Sequence, residues 1–99
     1  MASLRDIEKL WRESGVEPPS KLLARIRGQL YLVITDYGSI LRVMDQFNQI
    51  YAVSKSACKE KSNMYICGDV PLKINQSTNR DKIAQENIVP YVFSGFLAV

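Results

Sequence analysis

The chain has 99 residues, of which 46% are hydrophobic and 23% charged, and 13 Lys and Arg against 10 Asp and Glu give a net charge of +3. This length fits a single domain, residues 1–99, because a second core would have too few residues to be stable. The sequence has no histidine, which removes the commonest general base and the commonest metal ligand.

Apolar residues recur at helical spacing from Leu4 to Trp11, and Gly15 follows as a plausible stop. This pattern predicts an amphipathic helix over residues 4–14. Such a helix packs its apolar stripe on the core of its own domain more often than on a partner.

The next segment predicts a hairpin. Pro18 and Pro19 break the chain, and Ser20 can cap a short helical turn that reaches Ile26. Residues 30–35, LYLVIT, are rich in β-branched and aromatic residues and predict a strand. Residues 36–39, DYGS, have turn chemistry, and residues 40–44 read as the returning strand.

Two apolar segments follow later in the chain. Residues 64–74, MYICGDVPLKI, form an apolar run that is notched by glycine, aspartate and proline. Residues 75–82, NQSTNRDK, predict a polar loop. Residues 88–99 are apolar to the end and predict a C-terminal strand or tail, which closes the sheet or lies in a neighbour's groove.

Neither an export signal nor a membrane span is visible in the sequence. No apolar run follows a basic start, and no stretch approaches the roughly 18–20 apolar residues that a spanning helix needs. We therefore predict an intracellular protein, cytoplasmic or nuclear, without membrane contact. In such a compartment Cys58 and Cys67 are expected to be free thiols.

No constellation of residues points to catalysis. Two cysteines without a histidine cannot complete a tetrahedral zinc site within one chain, and no Ser or Cys nucleophile has a histidine base. Gly28 and Gly38 stand alone rather than in a phosphate-binding loop. We expect a non-enzymatic protein without metal or cofactor.

The stretch MDQFNQIY, residues 44–51, allows two interpretations. As part of a helix over residues 41–58 it buries Phe47 in the core, because the apolar residues of this segment suit helical spacing. As strand, loop and strand it exposes Asp45, Phe47 and Gln49 together, and its polar residues are good turn formers.

The second interpretation resembles the Sm-like (LSm) family over residues 4–74, with a core at residues 30–74. That family has a strand that reaches an Asp-Gly turn, a strand that ends in Asp-x-Phe-x-Asn, and later the sequence Ile-Arg-Gly-Asp/Asn. This chain has DYG at residues 36–38, DQFNQ at residues 45–49 and ICGD at residues 66–69. The resemblance implies an N-terminal helix followed by a small, strongly bent, five-stranded barrel.

By this resemblance, the RNA-binding residues are Asp45, Phe47, Gln49, Cys67 and Gly68. Phe47 stacks on a base, Gln49 reads the uracil edge, and Asp45 orients the loop through hydrogen bonds to backbone N–H groups. Gly68 allows close approach of the backbone. Gln49 replaces an Asn of the family and Cys67 replaces an Arg, which predicts weaker RNA contact.

The resemblance implies a non-enzymatic subunit of an oligomeric ribonucleoprotein assembly. It contacts uridine-rich single-stranded RNA weakly or serves mainly as a ring component, and it joins copies or partners through edge strands. The helical alternative implies an α+β sheet of the roadblock or profilin-like type with a helix at residues 41–58, a protein-binding scaffold without RNA contact.

Overall fold

The protein is built from one curled sheet with helices packed on one of its faces. The computed structural model describes residues 4–96. Helix α1 spans Leu4–Glu13, and the strands are β1 Leu23–Ile26, β2 Gln29–Asp36, β3 Ile40–Met44, β4 Ile50–Ser54, β5 Cys58–Lys61, β6 Met64–Cys67 and β7 Lys73–Ile74. A 3₁₀-helix at Lys55–Ala57 joins β4 to β5, and the C-terminal part contains α2 Asn79–Asn87, α3 Val89–Tyr91 and a π-helix at Val92–Phe96.

The seven strands form one mixed sheet with the order β5-β6-β1-β2-β3-β4-β7. Neighbouring strands are antiparallel except β1 and β6, which run parallel with Leu23 opposite Met64 and Ile26 opposite Cys67. Strands β1 to β4 form a meander, so the sheet is mostly antiparallel.

The short link between β4 and β5 requires this sheet to curl. In a flat sheet the five inter-strand steps from β4 to β5 span about 24 Å. The four residue steps from Ser54 to Cys58 reach at most about 14 Å. Only a strongly curled sheet brings the two strands close enough for the three-residue 3₁₀-helix between them.

Both faces of the sheet are buried. On one face, Ile7 and Trp11 of α1 pack with sheet residues such as Leu32 and with Ile88 that follows α2. On the other face the curl encloses a second apolar cluster, formed by residues that include Ala24, Val33, Leu41, Val43, Val53 and Tyr65.

The predicted N-terminal helix, the strand at residues 30–35 and the returning strand at residues 40–44 are confirmed as α1, β2 and β3. The protein is a small α+β domain in which a sheet follows an N-terminal helix, in outline as predicted. The finer prediction of five strands is not confirmed, because the sheet has seven strands and includes a parallel pair.

The alternative helix at residues 41–58 is wrong, because this segment forms β3, a loop, β4, the 3₁₀-helix and the start of β5. The apolar spacing misleads for a physical reason. Leu41 and Val43 belong to the enclosed cluster, whereas Met44 and Ile50 belong to the cluster under the helices. A strand that is buried on both faces loses the alternation that normally identifies it.

Three further predictions are corrected. The helical turn that Ser20 was expected to cap is replaced by strand β1. The polar loop at residues 75–82 ends early, because Thr78 caps α2 in a capping box with Asp81. The segment predicted as a strand or tail at residues 88–99 is helical from Val89 to Phe96, and residues 97–99 lie outside the described part.

The prediction of two free thiols is also wrong. Cys58 and Cys67 are register partners on β5 and β6, their Cα atoms are 4.1 Å apart, and a disulfide joins them. The hairpin register that places them opposite each other is not visible in their sequence spacing. Because disulfides persist mainly in oxidising compartments, this bond does not fit the intracellular location from which free thiols were expected.

Within residues 4–96, no helix has the length and apolar character that crossing a membrane requires.

Candidate nucleic-acid interface

The loop between β3 and β4 is organised by the side chain of Asp45. Its Oδ1 accepts hydrogen bonds from the backbone N–H groups of Phe47 at 2.8 Å and Gln49 at 3.0 Å. The carbonyl of Asp45 accepts a third from the N–H of Asn48, which has a φ of +66° that asparagine tolerates. The predicted bonds from Asp45 to backbone N–H groups are therefore confirmed.

This ordered loop exposes an aromatic ring. Phe47 is 80% exposed, the largest value among the exposed large hydrophobic residues of the described chain. A single exposed hydrophobic residue is normal on a protein surface. Here, however, its backbone is hydrogen-bonded in place, so stacking a ligand on the ring costs little loop ordering.

Two tyrosines support the base of the loop. The Tyr51 hydroxyl donates a hydrogen bond to Asp45 Oδ2 at 3.3 Å, and its ring meets that of Tyr31 edge to face with centroids 6.0 Å apart. Burial raises the pKa of the Tyr51 hydroxyl, and the charge of Asp45 and this hydrogen bond raise it further. Both carboxylate oxygens of Asp45 are thus engaged within the protein.

A cleft of about 380 Å³ lies beside the loop. Its lining includes Phe47 and Gln46 of the loop, Arg25 of β1 and Phe93 of the π-helix. Arg25 Nη1 donates a hydrogen bond to the carbonyl of Gly28 at 3.1 Å, across the turn between β1 and β2.

The turn between β1 and β2 is a tight one. Arg27 has a φ of +53° and Gly28 a φ of +79°, the pair of left-handed residues that a two-residue hairpin turn of type I′ requires. Arg25 and Arg27 are both exposed, so two cations flank this end of the sheet.

The five residues predicted to bind RNA do not form one site. Asp45, Phe47 and Gln49 lie together on the loop, and the Gln49 side-chain amide donates to the carbonyl of Ile50 at 3.3 Å. Cys67 is 4% exposed and bonded to Cys58, so its side chain offers nothing to a ligand.

Gly68 is exposed but follows β6, and β1 and β2 lie between β6 and β3 in the sheet. The loop that Asp45 organises (the Asp45 loop) and Gly68 are therefore at the same end of the sheet, three inter-strand steps apart. Gly68 is not among the residues that line the cleft beside the loop.

Sequence reasoning missed Arg25 and Phe93. Neither belongs to a motif, and they come from opposite parts of the chain. The curled sheet and the C-terminal helices bring them to the loop, so only the tertiary structure reveals them.

A second polar cluster lies at the opposite end of β2. Asp36 Oδ2 accepts hydrogen bonds from Lys55 Nζ at 2.9 Å and from the Tyr65 hydroxyl at 2.7 Å, and Oδ1 accepts one from the N–H of Gly38. Burial and the hydrogen bond to Asp36 raise the pKa of Tyr65. This cluster ties β2 to β6 and to the link after β4, so it braces the curl.

No group of three or more Cys, Asp or Glu side chains in residues 4–96 lies close enough to hold a metal ion.

No known protein family matches the chain, and neither the curated proteins nor the solved structures include a significant match.

Proposed function

We propose that this chain is a non-enzymatic RNA-binding subunit of Sm-like type that stacks a base of single-stranded RNA on Phe47. The observation that carries the proposal is the 80% exposure of Phe47 on a loop whose backbone is fixed by Asp45. A pre-ordered aromatic ring is a platform on which any base can stack, at about 1–3 kcal/mol per base.

The charges around the loop support an anionic ligand. Arg25 and Arg27 are exposed beside it, and the chain as a whole carries a net charge of +3. The carboxylate of Asp45 accepts hydrogen bonds from three internal donors, so it acts on the loop rather than on the ligand. Phosphates of a single strand can then approach from the side of the two arginines.

Under the same proposal the chain assembles with copies or partners through its sheet edges. Strand β5 forms one edge and the two-residue strand β7 the other. The edge at β5 carries exposed Lys59, Glu60 and Lys61, and such charges disfavour indiscriminate pairing. Strand β5 is expected to pair with a partner edge strand of complementary charge. Sedimentation velocity that finds only monomer at high micromolar concentration contradicts self-association of the chain.

The binding test compares two exposed aromatic residues. Phe47→Ala should weaken binding of a fluorescent oligouridine by about 5- to 150-fold, equivalent to the loss of one stacked base. Tyr37→Ala is the matched control, because Tyr37 is 64% exposed in the turn at the opposite end of β2. The control should bind like the unmodified chain.

Two results contradict the proposal. One is an unmodified chain that shows no measurable affinity for single-stranded RNA at low salt. The other is an equal loss of affinity in both variants, which would mean that Phe47 is no special platform. Circular dichroism of each variant verifies that the fold is retained.

A further inference from the structure

We infer that the cleft between the Asp45 loop and the π-helix holds one nucleotide, with its base between Phe47 and Phe93 and its phosphate on Arg25. This inference rests on the proposed function and goes beyond it by assigning two residues from outside the loop. It also gives the apolar C-terminal segment a role in the site.

The first support is the placement of the two phenyl rings. Phe47 and Phe93 line the same cleft from different elements, one from the loop after β3 and one from the π-helix. Phe93 is partly buried and packs against the core under the helices, so it forms a fixed wall. The volume of about 380 Å³ falls within the range of about 300–1,000 Å³ that is usual for small-ligand clefts.

The second support is the chemistry of Arg25. Its guanidinium is exposed, and the one Arg25 hydrogen bond found in the described part of the chain uses Nη1. A guanidinium has five N–H donors in a planar fork that matches a phosphate. The bond to Gly28 holds this fork at the cleft and leaves donors for a ligand.

The third support is the distribution of charge within the cleft. Asp45 also lines it, but its carboxylate oxygens accept bonds from Phe47, Gln49 and Tyr51. These bonds direct the negative charge of Asp45 into the loop. The phosphate is therefore expected to bind at the part of the cleft that Arg25 lines. Gln29 and Gln46 also line the cleft, and their side-chain amides can donate to or accept from the polar edge of a base.

The experiment separates the phosphate from the base. Affinity is measured for three probes: an oligouridine, an abasic strand of the same length, and uridine monophosphate. Arg25→Gln should weaken the oligouridine and the abasic strand by the same factor, and should reduce the slope of log affinity against log salt by about 0.7, the value for one phosphate of a single strand. Arg12→Gln is the control for lost charge, because Arg12 lies exposed on α1 beside Glu8.

The base is tested with Phe93→Leu, which keeps an apolar side chain in the core but removes the ring. This variant should weaken binding of the oligouridine several-fold and leave binding of the abasic strand unchanged.

Arg25→Lys keeps the charge without the planar fork of donors, and its affinity for the oligouridine should lie between those of Arg25→Gln and the unmodified chain. Measurable binding of uridine monophosphate identifies a free nucleotide as a second source of the ligand, and its absence assigns the site to a strand.

The outcomes distinguish the inference from the proposed function. If Phe47→Ala weakens the oligouridine but Arg25→Gln behaves like Arg12→Gln, the inference is wrong and the proposed function stands. The inference is equally wrong if Phe93→Leu binds all three probes normally. If the unmodified chain binds none of the probes, both are wrong.

Discussion

Arg42 and Asp81 form a bidentate ion pair that is buried between the sheet and α2. Arg42 Nη1 lies 2.9 Å from Asp81 Oδ1, and Nη2 lies 2.6 Å from Oδ2, with side chains 5% and 0% exposed. The same Oδ2 accepts the backbone N–H of Thr78 at 2.7 Å in the capping box of α2. One carboxylate therefore determines both where α2 begins and where it docks.

Asp81→Ala should lower the free energy of unfolding by about 3–5 kcal/mol, because it leaves the guanidinium of Arg42 buried without its partner. Urea denaturation measures the change, and Lys82→Ala, at the next and exposed position, should cost little. The double change Arg42→Met with Asp81→Leu should recover much of the loss, since two apolar side chains replace a desolvated pair. A loss of less than 1 kcal/mol in Asp81→Ala, on the order expected of a surface change, would contradict the account.

Phe47→Ala should change the free energy of unfolding by no more than about 1 kcal/mol, as for a surface residue. Met44→Ala is the contrast, because Met44 is fully buried three positions earlier and its truncation leaves a cavity that costs about 2–5 kcal/mol. Thermal melts of the two variants make the comparison. Equal destabilisation would mean that the ring of Phe47 is part of the core.

Asp45→Asn should lower the pKa of Tyr31 and of Tyr51. Burial raises the pKa of both hydroxyls and remains in the variant, but the charge of Asp45 that raises both further is lost. The ultraviolet absorbance of ionised tyrosine should therefore rise at lower pH than in the unmodified chain. Asp69→Asn removes an exposed carboxylate elsewhere and controls for the change in net charge. If Asp69→Asn shifts the tyrosine titration as strongly as Asp45→Asn does, the effect of Asp45 is not local.

Asp36 should make stability depend on pH in the acid range. Burial raises the pKa of Asp36, but hydrogen bonds from Lys55, Tyr65 and the N–H of Gly38 outweigh it and leave the pKa below its ordinary value. The stabilisation is therefore complete above the unfolded-state pKa of about 3.9 and is lost as the pH falls through the lower folded-state pKa.

Asp36→Asn is the variant for this test. The difference in unfolding free energy between it and the unmodified chain should be constant near neutral pH and should shrink below about pH 4. Denaturant titrations at several pH values measure this difference. A difference that grows on acidification would contradict a lowered pKa of Asp36 in the folded chain.

Removal of the disulfide should lower stability by about 2–3 kcal/mol, the chain-entropy value for a loop of this length; Cys58 and Cys67 are nine positions apart. Cys58→Ser with Cys67→Ser, or a dithiol reductant, should have the same effect. Thiol titration of the unfolded chain without reductant should find no free thiol. Detection of two reactive thiols would contradict the disulfide and support the prediction of free cysteines.

The sequence predicted elements best where local pattern and tertiary environment agree. The first helix has one buried stripe that includes Ile7 and Trp11, and β2 is a run of β-branched and aromatic residues, so both were identified. The short edge strands β5 and β7 have no buried residue, and β7 is only two residues long. Nothing in their composition distinguishes them from loops.

The same difference between local pattern and tertiary environment separates the predicted from the unpredicted residues of the candidate site. The loop of Asp45, Phe47 and Gln49 is shaped mainly by local bonds, because the hydrogen bonds that Asp45 Oδ1 accepts join residues within four positions. It was predicted from turn chemistry and a lone aromatic residue. Arg25 and Phe93 meet it only through the fold, and Cys67 was assigned to it by motif order although a disulfide already uses its sulfur.

The parallel pairing of β6 with β1 has a consequence for the order in which the strands are expected to pair during folding. Every other pairing among β1 to β6 joins strands that are consecutive in the chain, and such hairpins close quickly because short loops lose little entropy. Strand β6 instead pairs with β1 across four intervening strands, β2 to β5, and the 3₁₀-helix that joins β4 to β5. We therefore expect closure of the curl to limit the folding rate, with β5 and β6 docking as one preformed hairpin.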